Sequence, residues 1–257
     1  MTTSKFSSSQ KKGTSSKEED PNVIAGKKLE KKCGNPECYA RQREIELKAC
    51  ARCKSMRYCS RECQVAHWKS HKTSCNNNMG HVEELVKADA DGFLQGLLPR
   101  GLTLLELDQK LEKWVKFHSN LLMAATIHAL SLPKDIKRAR THLLRVKVVY
   151  RPDNNSVSAK AFRVYDASLI TVEEGRALGG VWPESIDQLQ QMREESEGLK
   201  RGTVAAVALE CVPLAMQTVP FGSLRDLSPL RIQHRWKEIL IKNVEAGKKY
   251  TRFEADD

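Results

Sequence analysis

Residues 58–75 read "YCSRECQVAHWKSHKTSC", and a metal-capable side chain recurs at every fourth position: Cys59, Cys63, His67, His71 and Cys75. On a helix each step of four residues advances about 40° around the axis. Cys59 and Cys63 can therefore face one ion, and His71 and Cys75 can face one. Cys63 and His71, however, lie about 12 Å apart along a straight helix and about 80° apart around it. Zinc holds its ligands at about 2.0–2.3 Å, so a continuous helix cannot bring both pairs to one ion. The stretch serves two ions, and each needs two further ligands from upstream.

Those ligands are present. Seven of the eight cysteines fall within residues 33–75, and only Cys211 lies outside. The pattern is Cys33-x4-Cys38, Cys50-x2-Cys53, Cys59-x3-Cys63 and His71-x3-Cys75, four pairs each spaced to chelate. Seven is odd, which suits a disulfide framework poorly; seven thiolates and one imidazole make two tetrahedral sets. Soft thiolate ligands with one imidazole select Zn²⁺, two ions per chain. Four protein ligands leave no place for water, so both sites read as structural. So short a module has little core and needs such staples. Apparent zinc-binding energies of about 10–16 kcal/mol in finger peptides exceed the stability of most small domains, so the module is expected to unfold without metal. His67 could replace His71 as the ligand, but His71-x3-Cys75 repeats the helical chelate spacing whereas His67 to Cys75 spans two turns; His67 is then expected to pack or to brace a ligand. Spacing leaves open which early pair joins which late pair.

Cys-x4-Cys, Cys-x2-Cys, "YCSRECQ", "HWKSH" and the final Cys together resemble the MYND zinc finger. In that family two zinc ions are held in an interleaved arrangement. The resemblance implies that Cys33, Cys38, Cys59 and Cys63 bind the first zinc, and that Cys50, Cys53, His71 and Cys75 bind the second. It covers about a sixth of the chain. The arrangement of the remainder resembles that of fungal proteins with an N-terminal finger of this kind and an uncharacterised C-terminal domain. MYND fingers are protein-interaction modules, some of which bind extended Pro-x-Leu-x-Pro peptides. The matching contact positions here are Gln64 and Trp68. The face of a partly exposed Trp offers area to proline rings at little entropy cost; the competing role for Trp68 is as part of the module's own core.

Around the finger, residues 1–32 are rich in Ser and Lys, poor in apolar groups, and read as a disordered tail. They lack the apolar centre of a signal peptide, and also the Arg and apolar face of a transit peptide. "NNNMG" at 76–80 reads as a linker, and residues 81–257 as one α+β domain. There the patterns predict helices over 81–98, 103–131, 182–196 and 230–247, strands over 143–152 and 159–170, a turn at 152–156, and one bulged strand or two short ones over 202–221. The sheet is expected to be antiparallel. The fold class is thus a small irregular zinc-stapled module followed by an α+β domain.

The net charge of +11 is uneven: +4 in residues 1–32, +5 in 33–75 and +2 in the rest. Loading two zinc ions onto seven thiolates lowers the total to about +8. Weak, salt-sensitive phosphate contacts are permitted, but no finger helix offers base-reading positions. Catalysis finds little support. The Asn-His and Gly-Glu-Glu stretches of the SET methyltransferases, in which MYND fingers also occur, are missing: "EEG" at 173–175 has the wrong order, and Cys211 is the only late cysteine. "AGKK" at 25–28 and "GRALGG" at 175–180 are incomplete as nucleotide motifs. Cys211 reads as a buried, inert thiol, His118 and His128 as packing or surface residues, and Asn154-x-Ser156 as a turn. The expectation is a non-enzymatic zinc-binding adaptor, in the nucleus or cytoplasm, that docks a proline-containing segment of a partner protein. No apolar run reaches the length of a membrane span.

Overall fold

A computed structural model of the chain describes residues 32–38, 40–42, 44–99, 101–154 and 157–250. The tail expected over 1–32 falls outside the described residues except for Lys32, and the turn over 152–156 is described only to Asn154. The chain opens with a two-stranded antiparallel ribbon, β1 (Lys48–Ala49) and β2 (Arg57–Tyr58), which leads into α1 (Arg61–Asp91). Then come α2 (Leu104–Ala129), α3 (Arg138–Thr141), β3 (His142–Tyr150), β4 (Phe162–Thr171), α4 (Val172–Ala177), α5 (Trp182–Gly198), β5 (Thr203–Glu210), β6 (Gln217–Leu224) and α6 (Trp236–Ala246).

Residues 76–80 are not a linker. They lie inside α1, a single helix of 31 residues that also absorbs the start of the helix expected over 81–98. Asn76, Asn77 and Asn78 are only mediocre helix formers, but no proline interrupts them. The helix is fixed on both sides, by His71 and Cys75 before and Leu85 after, its only buried residues. Once both flanks are anchored, propagating five residues between them costs little. Gly92, in the left-handed conformation at φ 69°, ends the helix before Pro99 can.

Polar contacts join this mostly exposed helix to the rest. Asp89 accepts hydrogen bonds from the Leu104 and Leu105 amides at 2.7 and 3.4 Å, and so caps α2 from outside. Thr103 and Glu106 complete a capping box there. His81 Nε2 lies 3.3 Å from Asp108 of α2, whose carboxylate also accepts from Gln217 of β6 at 2.6 Å. Asn77 donates to Glu184 of α5 at 2.8 Å.

The large sheet has the order β4-β3-β5-β6. It is mixed rather than antiparallel, because β5 lies parallel to β3, with Leu144 opposite Val207. Strands β3 and β4 form the expected hairpin, which returns the chain to the start of β3; α4 and α5 then carry it across, and β5 sets out from that same end, parallel to β3. The apolar run over 202–221 resolves into two antiparallel strands on either side of a turn at Pro213. Helices α2 and α6 cover one face, with Leu111, Trp114, Leu121 and Leu240 in one core with Leu144 and Val146 of β3. Helix α5 covers part of the other through Trp182, Ile186 and Leu189. Central β5 is therefore buried on both faces, which explains why "TVAAVAL" shows no alternation. No helix among the described residues is long and apolar enough to cross a membrane.

Continuity of α1 is testable at its middle. A Cβ added at Gly80 meets nothing within 4 Å, so Gly80→Ala is expected to raise the unfolding free energy by about 0.5–1 kcal/mol. Asn78→Pro is expected to lower it by about 3 kcal/mol. Equal denaturation midpoints for both variants and the parent would mean that residues 76–80 do not need to be helical.

Candidate metal centres

The ribbon and the first half of α1 assemble two ligand sets. The peptide turns tightly after Cys33: the Cys33 amide donates to Ala40 and Gly34 to Arg57, both at 2.7 Å. This places Cys33 and Cys38 against Cys59, at the end of β2, and Cys63, in the first turn of α1. Between β1 and β2 a second knuckle presents Cys50 and Cys53. The Cys50 amide donates to Met56 at 2.7 Å, and Lys54 takes the left-handed conformation at φ 57°. That knuckle faces His71 and Cys75. Ser60 caps α1 by accepting from the Cys63 amide at 3.3 Å, which fixes where the helical spacing of the ligands begins.

In each set, Cys33, Cys38, Cys59, Cys63 and Cys50, Cys53, His71, Cys75, the four ligand atoms lie within 4.8 Å of one another. One helix thus feeds both sets, Cys63 to one and His71 to the other, as its pitch requires. His71 rather than His67 supplies the imidazole. His67 instead lies with Nδ1 3.1 Å from the Tyr58 hydroxyl, and its ring stacks on His71 at 6.0 Å.

The spacing between ligands fits a tetrahedral zinc. Zinc–sulfur bonds of about 2.3 Å imply sulfur–sulfur edges of about 3.8 Å and sulfur–nitrogen edges of about 3.6 Å. The Sγ atoms of Cys38 and Cys59 lie 3.5 Å apart, those of Cys59 and Cys63 3.4 Å, and Cys53 Sγ lies 3.5 Å from His71 Nε2. All eight cysteines are free thiols. Within each set the thiols are driven apart: the Asn35 amide, with Cys59, draws Cys63 down to about 7, while its neighbours are pushed up. The sulfur of Cys63 together with burial pushes Cys59 up to about 12, and burial with the neighbouring Cys53 pushes Cys75 up to about 11. Burial lowers the His71 value and favours the neutral imidazole a metal needs. Two such sets can each bind a zinc ion, with the residues above as ligands.

Two donors escaped the sequence reading. Asn35 Nδ2 points at Cys63 Sγ at 3.6 Å, and Gln64 Nε2 at Cys50 Sγ at 3.6 Å. Hydrogen bonds of this kind spread the excess negative charge of a multi-thiolate site. Position two after Cys33, within "CGNPEC", was the available signal for Asn35. Gln64 is thus half-buried and occupied with a sulfur. Trp68 is half-buried too, its ring centroid 6.1 Å from that of His71 in an edge-on arrangement. It packs on a core made largely of ligands: Cys33, Leu47, Cys50, Tyr58 and Cys75. Elsewhere, Cys211 is 1% exposed, and burial pushes its thiol up to about 12. His118 donates to the Ala159 carbonyl at 2.9 Å, and His128 accepts from the Gln233 amide at 3.3 Å. These three groups serve packing.

Against known families, residues 31–75 match the model of the MYND finger. The chain is 50% identical over 38 residues to SET domain-containing protein 14 of Caenorhabditis elegans, which is 15% of this chain. The chain spans 9% of that relative's length. No solved structure matches. Purified chain is expected to hold two zinc ions by native mass spectrometry, and Cys→Ser changes within one set should remove one ion. Because Cys38 is exposed and Cys59 and Cys63 are half-exposed, whereas Cys50, His71 and Cys75 are buried, a chelator should strip the first set faster. Loss of both ions at one rate would contradict that difference. Residues 31–75 of this chain thus carry a MYND finger.

Proposed function

We propose that the chain is a zinc-dependent docking protein whose finger binds an extended, proline- and leucine-containing segment of a partner, with the α+β domain as scaffold or effector. The observation that carries this reading is Trp68. It is braced by the second ligand set, its ring edge-on to that of His71, yet it is only half-buried. Val65, one turn before it, is 66% exposed. An exposed Val beside an amphipathic ring on a metal-fixed helix is a rigid apolar ledge, and a ledge that does not move on binding loses little entropy. Gln64, half-buried, directs its amide to Cys50.

Binding rather than catalysis is proposed as the working activity. The SET domain in the relative's name belongs to that protein. The ligand sets depend on thiolates, which favours a reducing compartment, the nucleus or the cytoplasm. The domain limits proposed are 33–75 for the finger and 81–257 for the α+β domain, with α1 shared between them.

The test is titration of a fluorescent Pro-x-Leu-x-Pro peptide into zinc-loaded protein. Val65→Glu, on the exposed face, should weaken binding tenfold or more, about 1.4 kcal/mol, with two zinc ions retained. Trp68→Ala should abolish it. A peptide that binds chelated protein equally well, or ignores both substitutions, would remove this function.

A further inference from the structure

The charge around the ledge goes further than the ledge itself, on the basis of the docking reading above. At about 100° per residue, Arg61, Val65, Trp68, Lys69 and Lys72 fall within an arc of about 100° on α1. Arg61, Lys69 and Lys72 are exposed, and none is held in an ion pair among the described residues. The arc thus has an apolar centre, Val65 and Trp68, with one cation a turn before it and two after it. The one acid at its edge, Glu62, lies beside Arg61 at the start of the helix, away from Lys69 and Lys72. Cations at both ends of an apolar centre, none of them in an ion pair among the described residues, are a recognition pattern for opposite charge.

We propose that the partner segment carries acidic residues on both sides of its apolar core, so that Arg61 reads one flank and Lys69 and Lys72 read the other. A nucleic acid fits the same surface less well. The middle of the arc is apolar where a phosphate track needs continuous positive charge.

The experiment compares three fluorescent peptides with one Pro-Ala-Leu-Ala-Pro centre, flanked on both sides by Asp, Ser or Lys, on the zinc-loaded full chain. The Asp-flanked peptide is expected to bind about tenfold tighter than the Ser-flanked one in low salt, with the advantage shrinking to about twofold or less in 0.5 M NaCl. A Lys69→Glu/Lys72→Glu variant should reverse the preference toward the Lys-flanked peptide, and Lys69→Gln/Lys72→Gln should erase it, both with two zinc ions retained. Equal affinities for the three flanks would overturn the charge reading and leave the docking reading standing. If no peptide binds, both fall. If a single-stranded DNA 20-mer displaces the Asp-flanked peptide at equimolar concentration with a steep salt dependence, the surface is a phosphate site and the charge reading falls.

Discussion

Thiolates crowded within a few ångströms repel one another, and a dication at their centre is what lets four of them share that space. The N-terminal module is organised around this constraint. Its interior is hardly oily: apart from Leu47 and Tyr58, the buried groups of the finger core are ligands. Each knuckle of backbone has one task, to aim two sulfurs at a point, and two short strands, Lys48–Ala49 and Arg57–Tyr58, keep those knuckles in register. Asn35 and Gln64 then spread the residual charge into the surrounding peptide. Tyr58 and His67 fill the gap behind the second set, each satisfying the other's polar atom in a place that water does not reach freely. What looks like a loop-rich fragment is therefore over-determined once metal is present, and under-determined without it.

The second organising element is α1, which belongs equally to the finger and to the α+β domain. Its N-terminal half is fixed by metal ligands and its C-terminal half by hydrogen bonds to α2 and α5. Since Asp89 caps α2 and Asp108 gathers both His81 and Gln217, the helix meets the domain mainly through oriented polar groups, with only Leu85 buried in its second half. Polar contacts of that kind specify direction more than they add stability. A finger carried on such a helix is held in a defined attitude relative to the sheet, and Arg201 reaching the Pro36 carbonyl from the start of β5 adds a second tie.

How much of this was legible in the sequence differs by type of signal. Ligand spacing is a covalent fact, so the two sets could be read in outline, and the pitch of a helix was enough to separate Cys63 from His71. Residues 104–129 were equally plain, because Leu104, Leu107, Leu111 and Trp114 mark one stripe. Residues 76–80 misled, since three asparagines and a glycine resemble a breaker when nothing in the local sequence reports that both neighbours are anchored. The parallel pairing of β3 with β5 was invisible because register across a crossover is decided by burial on two faces. Gln64 stood among the peptide contacts by its position in the motif, whereas in the fold its amide points at a sulfur 3.6 Å away.

The unbroken run of α1 through Cys75 has a practical corollary for dissecting the molecule. A fragment cut at the last zinc ligand ends in mid-helix, leaving the terminal carbonyls of that turn without the amides that should answer them, right where His71 and Cys75 must hold position. The natural stopping point is Gly92, whose left-handed turn closes the helix on its own terms. The excised finger is therefore a longer object than its motif, and a C-terminal piece begun at residue 81 would lack both the metal-fixed turns that steady its first helix and Asn77, its link to Glu184.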